Sequence, residues 1–94
     1  MTHTERQAEW HFVILKQQLK ERAYSEAVID LNYLYRRNVD AWALFKGSLD
    51  SRGFTPQQRL LVNALLNVSE AGTLDELAER FNNEIPVYLE AIKW

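Results

Sequence analysis

Residues 10–15 read WHFVIL, an almost unbroken apolar run, and whether it forms a strand or a helix decides the fold class. The β-branched pair Val13 and Ile14 permits a strand through HFVIL, but flanks of Gln, Glu, Lys and Leu favour a helix. At 100° per residue, Ala8, Phe12, Leu15, Leu19 and Ala23 then share one stripe, an ordinary core-facing seam. Trp10, Val13 and Ile14 project from roughly the opposite side. The first helix is therefore apolar on two faces, and something besides its own seam must cover the second.

Working outward, helix punctuation recurs along the whole chain. Thr4 with Gln7 reads as a capping box for the first helix, which runs to about Arg22. Ser25 caps a second helix to about Arg37, and Asp40 opens a third, with Val39 and Leu44 spaced as a hydrophobic staple. Gly53 stops the third helix in a left-handed turn from which Phe54 folds back on Leu49. Thr55-Pro56-Gln57-Gln58 combines a cap, a proline at the first helical position and a capping-box Gln, giving a fourth helix over 56–69. Thr73 with Glu76 opens a fifth over 74–81. Pro86 is tolerable only in a first turn, so a sixth helix is placed at about 84–93. The expected fold is all-α, a small single domain spanning 1–94 with about six short helices packed as helical hairpins.

The two-faced behaviour of the first helix repeats in the second. Tyr24, Val28, Leu31 and Tyr35 turn inward, while Ile29 and Tyr33 point away beside Arg36 and Arg37. In the sixth, Ile85, Tyr88, Leu89 and Ile92 form the seam and leave Val87, Ala91 and Trp94 outside it. The fifth alone looks one-sided, with Leu74, Leu77, Ala78 and Phe81 against a charged back. The fourth, rich in Leu and Val from Leu60 to Val68, is the natural centre. Either the second faces are sandwiched within the domain or another chain covers them. Burying one large apolar side chain contributes about 1.5–3 kcal/mol, so a Trp10–Ile14 patch left in water would invite association.

Composition limits the functions. With 47% hydrophobic residues and eleven aromatics, among them three Trp, the chain can build a core. The absence of cysteine removes disulfides, thiolate metal sites and a Cys nucleophile. Its apolar runs fall far short of the roughly 18–20 residues of a membrane helix, and MTHTERQAEW lacks a secretory layout, so the expected setting is the cytoplasm. A net charge of −2 offers no bulk attraction for nucleic acid or an anionic membrane. The charge is also uneven: residues 1–54 hold eight basic and seven acidic side chains, residues 55–94 three and six.

A shift of 30 residues brings Phe12 onto Trp42, Leu15 onto Phe45, Leu19 onto Leu49, Tyr24 onto Phe54 and Leu31 onto Leu61. On those residues, and on AYSEAVIDLNYLYRRNVDAW with Tyr24, Ala27 and Leu31 at its packing positions, residues 8–54 resemble tetratricopeptide-type helical-hairpin repeats. The period is about 30 rather than 34, Val39 stands where a Pro is common, and the Leu-Gly pair after the Trp is missing. The resemblance implies a concave groove lined by first helices that holds a peptide, which would employ Trp10, Ile14 and Gln17.

Residues 55–94 support an alternative, a helix-turn-helix DNA-binding regulator with Phe81 before the turn and Ile85 to Trp94 as the reading arm. That arm carries Glu84, Pro86, Tyr88 and Glu90 with only Lys93 as a strong donor, so carboxylates would face phosphates. Lys16, Lys20, Arg36 and Arg37 could form a basic face elsewhere, or simply a solvated one. Enzymatic signatures are weaker. His3, expected in a frayed terminus, and His11, flanked by Trp10 and Phe12, have no metal-ligand spacing. Asp75, Glu76 and Glu79 fit a solvated helix face on which Glu76 pairs with Arg80. The glycines at 47, 53 and 72 form no phosphate cradle. The expectation is a non-enzymatic, cofactor-free module that meets another protein or a second copy of itself, as an adaptor, inhibitor or chaperone-like protein. Its candidate contact residues are Trp10, Ile14, Gln17, Ile29, Tyr33, Arg36 and Arg37.

Overall fold

In the computed structural model of the chain, which describes residues 2–92 and the side chains of 2–90, the WHFVIL stretch is helical. The described residues form five α-helices and no strand: α1 His3–Glu21, α2 Tyr24–Arg37, α3 Val39–Gly47, α4 Pro56–Ser69 and α5 Leu74–Ile92. A 3₁₀ turn, Leu49–Ser51, follows α3. None of the described helices is long and apolar enough to cross a membrane.

Helix ends follow the backbone's demand for partners, and several differ from the expected ones. The first capping box uses Thr2 and Glu5, two residues earlier than Thr4 and Gln7, and so places a carboxylate in the positive first turn. His3 is thereby drawn into α1 instead of fraying, and its ring meets the Gln7 amide at 3.2 Å. α1 ends where Arg22 turns left-handed (φ 57°) and the Ala23 N–H donates to the Gln18 carbonyl at 2.9 Å. With the turn closed that tightly, α2 starts at Tyr24 after Ala23, and Ser25 lies inside the helix instead of capping it.

Asn38, not Asp40, caps α3 by accepting from the Ala41 N–H at 3.0 Å. The cap lies one residue before Val39, so the staple spacing is lost, and both Val39 and Leu44 remain exposed. α4 begins as the sequence requires, with Thr55 and Gln58 exchanging both capping bonds around Pro56. α3 itself ends at Gly47, six residues short of the expected stop, with Ser48 as its C-cap; Gly53 takes a left-handed turn (φ 75°) only after the 3₁₀ turn, before α4.

The expected fifth and sixth helices are one. Pro86 removes the N–H that would bond the Asn82 carbonyl and costs about 3 kcal/mol in a helix interior. Both residues are exposed, so water can serve the freed carbonyl. Continuing the helix carries Ile85 into full burial and sets Tyr88 and Leu89 against the core, on the stripe begun by Leu77 and Phe81. Burial of about 1.5–3 kcal/mol per large side chain offsets the proline. The turn that a helix-turn-helix needs between Phe81 and Ile85 is therefore helix. The expected positions of Lys93 and Trp94, and the side chains of residues 91 and 92, lie outside the described residues.

The helices pack around α2 and α4: α1 lies against α2 and α3, α2 against α3, α4 and α5, and α5 along α4. α4 supplies the centre with Leu61, Val62, Leu65, Leu66 and Val68, all buried. Phe12 stacks on Phe45 at 4.2 Å between ring centres, and Trp42 lies parallel to Phe45 at 6.0 Å. Buried Asn32 on α2 donates to the carbonyls of Ser69 and Ala71 at 2.8 and 2.9 Å, closing the end of α4. Trp42 and Lys46 both donate to Glu70 at 2.9 Å, tying α3 to the same corner. Burial disfavours the Glu70 charge, but Lys46, Trp42 and the nearby Arg80 outweigh it and hold the carboxyl below the usual carboxylate range.

Candidate functional site

Of the large apolar residues that this packing leaves exposed, Trp10, Ile29, Tyr33 and Leu74 gather around the outer face of α2, while Val13, Val39, Leu44, Leu60 and Val87 line none of its clefts. Its seam, Tyr24, Val28, Leu31 and Tyr35, turns inward as the wheel requires, joined by Ala27, Asn32 and Leu34. Ile29 and Tyr33, one turn apart, remain 53% and 56% exposed. Trp10 from α1, at 61%, and Leu74 from α5, at 62%, flank them on either side.

Three clefts connect these residues. The first, about 350 Å³ between α1 and α2, is lined by Gln7, Trp10, His11, Asp30, Tyr33, Leu34 and Arg37. A second of about 420 Å³ lies between α2 and α5, walled by Val28, Ile29, Leu74, Leu77, Ala78 and Phe81 with Ser25 and Asn82 at its edge. A third, about 440 Å³, bridges them through Ile29, Asn32, Tyr33, Arg36, Arg37 and Leu74. Since neighbouring clefts share Tyr33 and Arg37, or Ile29 and Leu74, the surface runs unbroken from Trp10 to Phe81. The α2–α5 cleft has apolar walls, and the other two set Trp10, Tyr33, Ile29 and Leu74 among Gln, His, Asp, Asn and Arg side chains, a mixture that suits the side chains of another macromolecule.

The polar residues of the surface are set by local chemistry. Arg37 lies over the Tyr33 ring, 4.9 Å from its centre, and donates to its hydroxyl at 2.7 Å. Gln18 donates to Asp30 at 2.8 Å. Buried His11 meets Trp10 edge-on at 5.2 Å. Burial pushes its imidazole below the usual histidine value, against an opposing pull from the Asp30 carboxylate. Among the described residues, no three His, Asp or Glu side chains form a group that could hold a metal ion.

Five of the seven candidate residues, Trp10, Ile29, Tyr33, Arg36 and Arg37, border this one surface. Ile14 and Gln17 do not: Ile14 is half-buried, and Gln17 is exposed and donates to Glu21 at 2.7 Å. The four basic residues are also divided. Lys16 and Lys20 flank a small cleft with Phe54, where Lys16 donates to the Arg52 carbonyl at 2.6 Å, while Arg36 and Arg37 flank Tyr33. On the fifth-helix segment, Glu76 pairs with Arg80 at 2.8 Å as its spacing requires.

Leu74 was expected in the core and instead lies exposed on the candidate surface. Its stripe does turn toward α2, but none of the described residues fills the space between them, and Ala78 is exposed for the same reason. No sequence signal marks a void, although the wheel correctly places both residues on the face that lines it.

Compared with known protein families, with curated proteins and with solved structures, the chain matches none of them.

Proposed function

We propose that this protein is a protein–protein contact module, adaptor-, inhibitor- or chaperone-like in its action, and that the outer face of α2 is its contact surface. The observation that carries the reading is the junction of Trp10, Ile29, Tyr33 and Leu74, all more than half exposed, through one continuous set of clefts. Large apolar residues scattered singly over a surface need no explanation, whereas a connected patch with arginines at its rim has the composition of an interface. The tetratricopeptide-type likeness of residues 8–54 points toward peptide holding as well. Here, however, the second helix of the hairpin contributes the larger share of the surface.

The test is a double substitution, Ile29→Glu with Tyr33→Glu. Both side chains are more than half exposed, so helicity and melting temperature should stay close to those of the unmodified chain in dilute solution, while association is lost. Wholesale unfolding would show the residues to be core, and undiminished association would place the contact elsewhere.

A further inference from the structure

The stripe that α2 turns outward is Glu26, Ile29, Tyr33 and Arg36, all exposed. Its intervals of three, four and three residues read the same in both directions about position 31, and its two ends carry opposite charges. Among the described residues, the ion pairs are Lys46–Glu70, Arg52–Glu9, Arg59–Asp50 and Arg80–Glu76. Glu26 and Arg36 take part in none of them, and among the described residues neither side chain makes a hydrogen bond.

From this symmetry we infer that the occupant of the α2 face is a second copy of the same chain, related by a two-fold axis that crosses α2 above Leu31. The inference rests on the contact reading given above. Antiparallel pairing sets Ile29 of each copy against Tyr33 of the other, and Glu26 against Arg36, at both ends of the interface. It also opposes the two helix dipoles favourably. Parallel pairing would instead set Glu26 beside Glu26 and Arg36 beside Arg36, like against like. The axis keeps each flank on its own side. Leu74, which shares a cleft with both Ile29 and Tyr33, thus meets its own counterpart near the centre, and Trp10 covers the opposite flank. One patch that complements itself in shape and sign is the requirement for an isologous dimer.

Sedimentation of the full chain over a range of concentrations tests this. The unmodified chain should pass from monomer to dimer. Glu26→Arg and Arg36→Glu should each oppose like charges at both ends and weaken dimerisation about tenfold or more. Both side chains are exposed, so the fold should persist, with a small loss of stability because each exchange reverses a charge that suits its end of α2. An equimolar mixture of the two single variants should recover dimerisation, because one chain then offers two positive ends and the other two negative ends. The double variant carrying both exchanges should recover it alone. A dimer indifferent to both exchanges, or a mixture no tighter than its components, would overturn the inference. A chain that stays monomeric yet captures a different protein through Ile29 and Tyr33 would overturn it too, while leaving the contact reading intact. A monomer that captures nothing through that face would end both.

Discussion

The seam between α1 and α3 and the outer face of α2 are built from the same kinds of residue and reach opposite outcomes. At the seam each ring is covered: Phe12 lies between Phe45 and the Arg52 guanidinium, 4.2 Å from each, and Trp42 is buried with its indole N–H on Glu70. On the α2 face, Trp10 meets the His11 ring edge-on and Tyr33 has the Arg37 guanidinium over its ring, and both remain more than half exposed. What separates the two is geometry, not hydrophobicity. α3 follows α2 after a single residue and folds back over α1, whereas among the described residues no segment returns across Ile29 and Tyr33. The seam is completed within the chain, and the face is left exposed.

Breaking the seam should have the largest effect. Phe45→Ala removes a fully buried ring stacked on Phe12 and should cost about 3–5 kcal/mol in denaturant titration. Asn32→Ala should cost about 1–3 kcal/mol, because the Ser69 and Ala71 carbonyls lose their donor in a buried place. Pro86→Ala should work in the other direction, adding about 1–2 kcal/mol by restoring the bond to the Asn82 carbonyl, less the entropy returned to the unfolded chain.

Acid is a gentler probe, applied at the boundary between the two regions. The folded value for His11 lies below the free value of 6.5, so the unfolded chain binds more protons as pH falls through that range. Stability from this residue is complete above pH 6.5 and declines as pH drops below it, until the folded imidazole also protonates. A His11→Gln variant should show a flatter stability profile in that window. The smallest change belongs to the face itself: Tyr33→Ala in dilute solution should move stability by no more than about 0.5 kcal/mol.

Much of this was legible in the sequence where the signal was local. Thr55-Pro56-Gln57-Gln58 contains all the atoms of its capping box, and α4 begins and ends where that reading puts it. The inward and outward faces of α2 follow from angular arithmetic alone. Local signals failed where two of them competed, as with Thr2–Glu5 against Thr4–Gln7 and Asn38 against Asp40. They also failed where tertiary burial overrode them. Pro86 reads as a boundary until the burial of Ile85 is weighed against it. Asn32 looks like an ordinary polar residue until the end of α4 arrives beside it. For the candidate surface, the sequence marked Trp10, Ile29 and Tyr33 as surplus to one seam. Joining them to Leu74 required knowing which neighbours leave the space between α2 and α5 unfilled.

Hydroxyl-radical footprinting read by mass spectrometry distinguishes a covered region from an available one most directly. In dilute protein, Trp10, Ile29, Tyr33 and Leu74 should be modified readily while Phe12 and Phe45 are spared. As concentration rises, or when a binding protein is added, the first four should become protected together. Equal modification of those four under every condition would contradict the assignment of α2's outer face as the contact surface.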